Sequence, residues 1–262
     1  MHLAYIWQLD VGSAIFGKMK KKPSFSQLPA NCLTKVGKPI IRAVIFDMDG
    51  VIINSEVQWK AIQKDFLVGL IPSWTEKDQQ GIIGMSLFDV WRKLTSEFAL
   101  DISEEEFVGF YRGLAGEIYG NRADPIPGAI DLVRAAFNSG FQVALASSSP
   151  RSWIEIVVNR FCLQTELQVN VSSEDVGGVG KPAPDIYQLA LSRLGIKPEE
   201  AVAVEDTTKG IASAKGAGMY CVGLLNETNS RQQLAAADIV LESLVGVNLE
   251  ELIVTLCPTD CE

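Results

Sequence analysis

Residues 40–50 read Ile-Ile-Arg-Ala-Val-Ile-Phe-Asp-Met-Asp-Gly: a short apolar run that stops at two acids and a glycine. A run with no polar alternation suits a strand covered on both faces, the condition of a central strand in a parallel sheet. The same pattern recurs along the chain. Phe141–Ala146 (FQVALA) stops at Ser147, Ser148, Ser149 and Pro150, and Leu167–Val171 is a weaker third run. Ala201–Val204 (AVAV) stops at Glu205 and Asp206, while Met219–Leu224 and Asp238–Leu241 read as a fifth and a sixth.

Helical patterns lie between these runs. Gly128–Ser139 spaces apolar residues at Ile130, Val133, Ala136 and Phe137, with Gly140 as a stop. Pro150–Phe161 opens on a proline suited to a first helical turn, Pro184–Leu194 ends at Gly195, and Thr207–Ala217 is rich in small residues. Strands alternating with helices predict an α/β fold, a doubly wound, Rossmann-like parallel sheet. From Ser55 to Asp124 the alternation gives way to helical patterns alone, including Ser103 and Glu106 spaced as a capping box. The return at Asp124-Pro125-Ile126-Pro127-Gly128 is a stiff turn. The expected organisation is therefore an α/β core of residues 40–54 and 125–262, with a helical block of residues 55–124 inserted after the first strand.

Residues 1–39 stand apart. They carry one acid, Asp10, and a basic run at Lys18, Lys20, Lys21 and Lys22 that follows the apolar stretch, whereas a secretory signal has its charge first. The expectation is a disordered extension, or a start at Met19, on a cytoplasmic protein; organelle targeting is the lesser alternative. The 262 residues are 47% hydrophobic and 21% charged, with a net charge of −9, which argues against nucleic acid or anionic membrane as a partner. No stretch approaches the ~18 apolar residues of a membrane span. Five cysteines, at 32, 162, 221, 257 and 261, lack a paired framework and read as reduced thiols. His2 is the single histidine and lies in the extension, so triads built on histidine are excluded.

In parallel α/β sheets, ligands bind beyond the carboxyl ends of the strands. Asp47 and Asp49 stand there after the first run, Ser147 after the second, Lys181 and Pro182 after the third, Glu205 and Asp206 after the fourth. Clustered carboxylates repel one another, so a cation is expected among them, and hard oxygen ligands select Mg²⁺. Acids, a metal, an ammonium and a hydroxyl suit a phosphoryl group, with one carboxylate left to attack phosphorus. Asp47 and Asp49 both reach the site only if the strand breaks into a turn, which Gly50 permits; one then serves as nucleophile and the other as acid–base group. A calcium loop is excluded, because its glycine falls at position six and Gly50 follows the second acid at once. Taken singly, Ser147 reads as a turn residue, Lys181 as a solvated charge and Glu205-Asp206 as a helix cap. Their joint placement at successive strand ends is what calls for a site.

In order, Asp47-Met48-Asp49-Gly50-Val51, Ser147, Lys181-Pro182-Ala183-Pro184-Asp185 and Glu205-Asp206 resemble the four motifs of the haloacid dehalogenase superfamily, and within it the subgroup of β-phosphoglucomutase and small sugar-phosphate phosphatases. The resemblance spans roughly residues 41–241. It implies Asp47 as nucleophile and Asp49 as acid–base residue. It further implies Mg²⁺ on the Asp47 side chain, the Asp49 carbonyl and Asp206 with Glu205 assisting, phosphate contacts from Ser147, Ser148 and Lys181, and a helical block that serves as a mobile cap. Asp49 is absent from the dehalogenase and phosphonate-cleaving branches. The mutase branch has a histidine where Trp59 stands, an arginine where Leu87 follows Gly84-Met85-Ser86, and a lysine where Pro150 stands; Asn54 replaces a frequent aspartate.

The expected function is thus a Mg²⁺-dependent phosphatase, acting on a small phosphate monoester of the sugar-phosphate kind through an aspartyl-phosphate, with a monomer as the expected state. A phosphomutase is the alternative, and a non-catalytic phosphate-binding or signalling domain a remoter one: a receiver domain carries its acceptor on a middle strand and has no inserted helices. Candidates for substrate contact in the cap are Glu56, Trp59, Met85, Ser86 and Arg92, although Trp59, Trp74 and Trp91 read first as packing residues and Trp153 as core or helix surface.

Overall fold

A computed structural model describes residues 41–82, 85 and 87–256. The extension with His2, Met19 and Cys32, the first residue of the opening strand run (Ile40), Ser86, and Cys257 and Cys261 lie outside the described residues.

Six parallel strands form the sheet: β1 Ala43–Phe46, β2 Gln142–Ser147, β3 Val169–Ser172, β4 Ala201–Glu205, β5 Tyr220–Leu224 and β6 Ile239–Leu241. Their order is β3-β2-β1-β4-β5-β6. All six expected runs are strands; β4 starts where expected, the other five start one to three residues later, and β2, β3 and β4 each run one residue further at their ends. β1 is central, and its alternation explains why it is apolar throughout. Val44 and Phe46 belong to one buried cluster and Ala43 and Ile45 to the other, as successive side chains in a strand point to opposite faces.

The helices between the strands are those the spacing predicts: α5 Ala129–Asn138, α6 Arg151–Arg160, α7 Asp185–Leu194 and α8 Thr208–Gly216; α9 Leu249–Leu256, after β6, is not among the expected helices. On one sheet face Ala43, Ala144, Ala146, Ala201 and Ala203 are small and fully buried, so Ile186, Tyr187, Ile211 and Ala214 of α7 and α8 pack directly onto it. Between residues 55 and 124 the structure is helical: α1 Glu56–Leu70, α2 Glu76–Ile82, α3 Leu87–Phe98, α4 Glu104–Glu117 and a π-helical turn over Ile118–Arg122. The capping box at the start of α4 is present, Ser103 accepting from the Glu106 amide and the Glu106 carboxylate accepting from the Ser103 amide.

The chain leaves and re-enters the sheet layer side by side. Asn54 N–H donates to Asp124 O at 2.8 Å, and Ile126 N–H donates to Ile52 O at 2.9 Å. Gly128, at φ +85°, lies against the backbone of Leu244 and Val245, where a Cβ would collide. No described helix is long and apolar enough to cross a membrane.

Candidate active site

The chain winds outward from β1 to β2 and β3, then returns to β4 on the other side of β1, so the strand order reverses between β1 and β4. A crevice opens beyond the strand ends at such a point. The register sets Phe46 beside Val204, and Asp47 N–H donates to Val204 O at 3.0 Å. Asp47 and Glu205 are therefore neighbours across the switch. After Asp47 the strand ends in a turn: Gly50 N–H donates to Ile53 O at 2.9 Å, and Gly50 takes φ +81° with the Asp206 carboxylate occupying the space of the missing Cβ. This turn lets Asp49 point back to the same crevice.

Lys181 is the hub of the buried charges. Its Nζ donates to Asp47 Oδ1 at 2.6 Å, Glu205 Oε1 at 2.6 Å and Ala146 O at 2.9 Å. Tyr187 OH also donates to Glu205 Oε1, at 2.6 Å, and Asp206 N–H to Glu205 Oε2 at 3.3 Å. The Glu205 carboxylate sits over Gly210 of α8, where any Cβ would overlap it. Glu205 thus holds Lys181 in place, whatever further share it takes in binding a cation. Asp206 receives Asn226 Nδ2 on Oδ2 at 2.8 Å and Asn229 Nδ2 on its carbonyl at 2.7 Å, but its Oδ1 is buried with no partner.

Charge decides what is missing here. Asp47, Glu205 and Asp206 offer oxygens within 4.8 Å of one another, and all three, with Lys181, are buried. Three negative charges less one positive leave two uncompensated. Burial pushes the Asp47 carboxyl up to about 8, Lys181 opposing the rise and Glu205 and Asp49 adding to it. Burial also raises Asp206 well above the carboxylate range, with Asp47, Glu205 and Glu56 contributing. An orphaned carboxylate oxygen facing other acids fits a hard divalent cation, which supplies the two missing charges on oxygen ligands.

Asp49 is held by three hydroxyls: Ser55 Oγ and Tyr119 OH on Oδ1, the latter at 2.7 Å, and Ser149 Oγ on Oδ2 at 2.8 Å. Ser147 is buried, and its Oγ accepts from Ser149 N–H at 3.1 Å; Ser148 Oγ accepts from the Lys181 amide at 3.4 Å. Ser172, the last residue of β3, and Ser173, which follows it, brace this loop by donating to Ser149 O and Ser148 O, each at 2.8 Å.

A cleft of about 1010 Å³ opens over these groups, lined from the helical side by Glu56, Trp59, Gln79, Met85, Tyr111 and Tyr119. Of the candidates for substrate contact in the helical block, Glu56, Trp59 and Met85 line it, and burial with the nearby Asp49 raises Glu56 to about 7. Arg92 lies instead on a smaller recess that adjoins it through Met85, Lys181 and Lys209. Trp59 both lines the cleft and packs, stacked between Tyr111 at 5.4 Å and Trp153 at 4.9 Å. Trp74 and Trp91 are packing residues, their N–H groups donating to Gln79 Oε1 and Ile102 O.

Sequence reasoning missed Asn226 and Asn229, although asking what stands beyond the fifth strand would have found them. It also missed Tyr187, whose hydroxyl comes from a helix interior, and Tyr119, for which no local pattern signals a site.

An α/β protein with buried acids and one lysine at a topological switch point is built for anionic, oxygen-rich ligands. The family model for haloacid dehalogenase-like hydrolases matches residues 44–224, and the chain belongs to that family. Hexitol phosphatase B of Escherichia coli (strain K12) is 28% identical over 218 residues, covering 81% of this chain and 97% of that protein. The bifunctional riboflavin kinase/FMN phosphatase of Arabidopsis thaliana is 28% identical over 216 residues, 82% of this chain; the chain spans 56% of that longer protein. In fold, a β-phosphoglucomutase from Clostridium difficile superposes with a TM-score of 0.68 at 23% identity, over 83% of this chain and 97% of that one. The chain is accordingly a hydrolase of the phosphoric monoester class to which its named phosphatase relatives belong.

Proposed function

We propose that this protein is a Mg²⁺-dependent phosphatase that hydrolyses a small phosphate monoester, of the sugar-phosphate kind, through an aspartyl-phosphate on Asp47. The observation that carries the reading is the charge deficit: three buried acids around one lysine, with Asp206 Oδ1 lacking any partner. Mg²⁺ would be held by Asp47, Asp206 and the Asp49 carbonyl with Glu205 beside them, and would supply positive charge to screen both the nucleophile and the phosphate.

The chain's own groups do the rest. Lys181, Ser147 and Ser148 hold phosphoryl oxygens. A carboxylate oxygen of Asp47 attacks phosphorus in line, forming the Asp47–phosphorus bond as the ester bond breaks, and Asp49 donates a proton to the departing alcohol oxygen. Asp49 then takes a proton from water as the water oxygen bonds phosphorus and the bond from the Asp47 oxygen to phosphorus breaks, so that Asp49 is again protonated, its first proton having left with the alcohol. The helical block of residues 55–124 acts as a cap over the cleft and excludes water from the first step. Hydrolysis is preferred to isomerisation because Trp59, Leu87 and Pro150 stand where the mutase branch places groups that hold a second phosphate.

Phosphate release from a panel of metabolite phosphates, with Mg²⁺ or EDTA, tests the reading. Turnover is expected with Mg²⁺ alone and is expected to vanish in Asp47→Asn. Isomerised product without net phosphate release would replace it with the mutase reading.

A further inference from the structure

We propose that Tyr119, fixed in turn by Trp59, is a positioning residue for Asp49: it pins Oδ1 and leaves Oδ2 as the oxygen that moves the proton. This rests on the phosphatase reading above and adds a division of labour between the two oxygens of one carboxylate.

The direction of each hydrogen bond is forced. Trp59 Nε1 lies 3.0 Å from Tyr119 OH, and an indole N–H only donates, so the Tyr119 oxygen is the acceptor there. The single phenol proton is left for Asp49 Oδ1, at 2.7 Å.

Geometry adds stiffness. Tyr119 is 1% exposed, and its ring packs against Trp59 at 6.1 Å and Trp153 at 5.5 Å, so the hydroxyl cannot turn away without unpacking the cluster. Ser55 Oγ also donates to Oδ1. Among the described residues Oδ2 receives Ser149 Oγ, at 2.8 Å, a hydroxyl that can turn about its own C–O bond to donate or accept. When Asp49 is protonated, Oδ1 is thus the carbonyl oxygen and accepts from Tyr119 and Ser55. The proton rides on Oδ2 and Ser149 turns to accept. From Oδ2 it passes to the ester oxygen as the P–O bond breaks, and Oδ2 recovers a proton from water in the second half-reaction. Tyr119 and Trp59 belong to the helical block and Asp49 to the turn after β1, so the acid–base group is aimed by a residue that packing alone would class as core.

Leaving groups of different basicity isolate this role, because kcat/KM covers the steps through phosphoryl transfer and a good leaving group needs little protonation. The experiment compares wild type, Tyr119→Phe and Trp59→Phe on 4-nitrophenyl phosphate and on whichever alkyl phosphate of the panel the wild type turns over fastest. For Tyr119→Phe, kcat/KM on the alkyl phosphate is expected to fall about ten- to a hundredfold, with the aryl value staying within about threefold. Trp59→Phe, which keeps a ring in the stack but loses the N–H, is expected to show a smaller shift in the same ratio. Equal losses on both substrates, or no loss, in a variant whose melting temperature matches wild type would overturn the inference. If Tyr119→Phe does not fold, an unchanged ratio in Trp59→Phe overturns it instead. A wild type that hydrolyses neither substrate with Mg²⁺ removes the phosphatase reading itself, and this inference with it.

Discussion

Asp206→Asn removes one of three buried negative charges and, in metal-free protein, should make the fold more stable. Oxygens of Asp206, Asp47 and Glu205 lie within 4.8 Å of one another. At an effective dielectric of about 20, each like-charge pair at that separation costs about 3.5 kcal/mol. Protonation offers an escape, and holding a proton on an ordinary carboxylate at pH 7 costs about 4 kcal/mol, which is a ceiling on the penalty. The Asn226 hydrogen bond offsets part of it, leaving an expected gain of about 2 kcal/mol, or about 4–8 °C in melting temperature for a fold of this size. Mg²⁺ at a hundred times its dissociation constant should stabilise wild type by about 2.7 kcal/mol, or about 5–11 °C, and should leave Asp206→Asn unmoved. The two proteins should therefore exchange order when Mg²⁺ replaces EDTA, read by calorimetry at pH 7. A variant that melts below wild type in EDTA, or a wild type blind to Mg²⁺, would refute the charge-deficit argument.

Two further outcomes follow from the same geometry. Asp47 titrates near 8 and Glu56 near 7 in the folded protein, against about 4 for unfolded carboxylates. The folded state then binds more protons than the unfolded one between pH 4 and 8, so metal-free stability should fall as pH rises through that window; urea midpoints in EDTA at pH 5.5, 6.5 and 7.5 check this, and a rising midpoint contradicts it. Gly210→Ala puts a Cβ onto the Glu205 carboxylate. Although Gly210 carries no side chain to offer a substrate, the variant should lose about 1–3 kcal/mol of stability and most of its phosphate release, because Lys181 loses its anchor; unchanged turnover would show that Glu205 does not set Lys181.

The sheet was legible because its central strands are apolar runs that burial on both faces imposes locally, while the edge strand β3, Val-Asn-Val-Ser and only partly buried, gave the weaker signal. The four groups of acids, serine and lysine were legible for a related reason. The acids and Ser147 stand at or next to a strand's carboxyl end and Lys181 in the loop that follows β3, and the parallel topology brings those ends to one edge. The helical block was legible as a break in alternation, and Ser103 with Glu106 even marked the start of one of its helices. The partners of these groups were not legible. That Glu205 supports Lys181, that Tyr187 reaches Glu205 from the next layer, and that Gly210 makes room for it depend on how α7 and α8 pack on the sheet. Tyr119 meets Asp49 across 70 residues of chain. Sequence by itself determined which chemical groups the strand ends present, since strand periodicity and chain connectivity are local properties. Only the tertiary structure decided which oxygen each donor meets and which charge is left without a partner, because hydrogen bonding and desolvation depend on side chains that packing, not sequence proximity, brings within 3 Å.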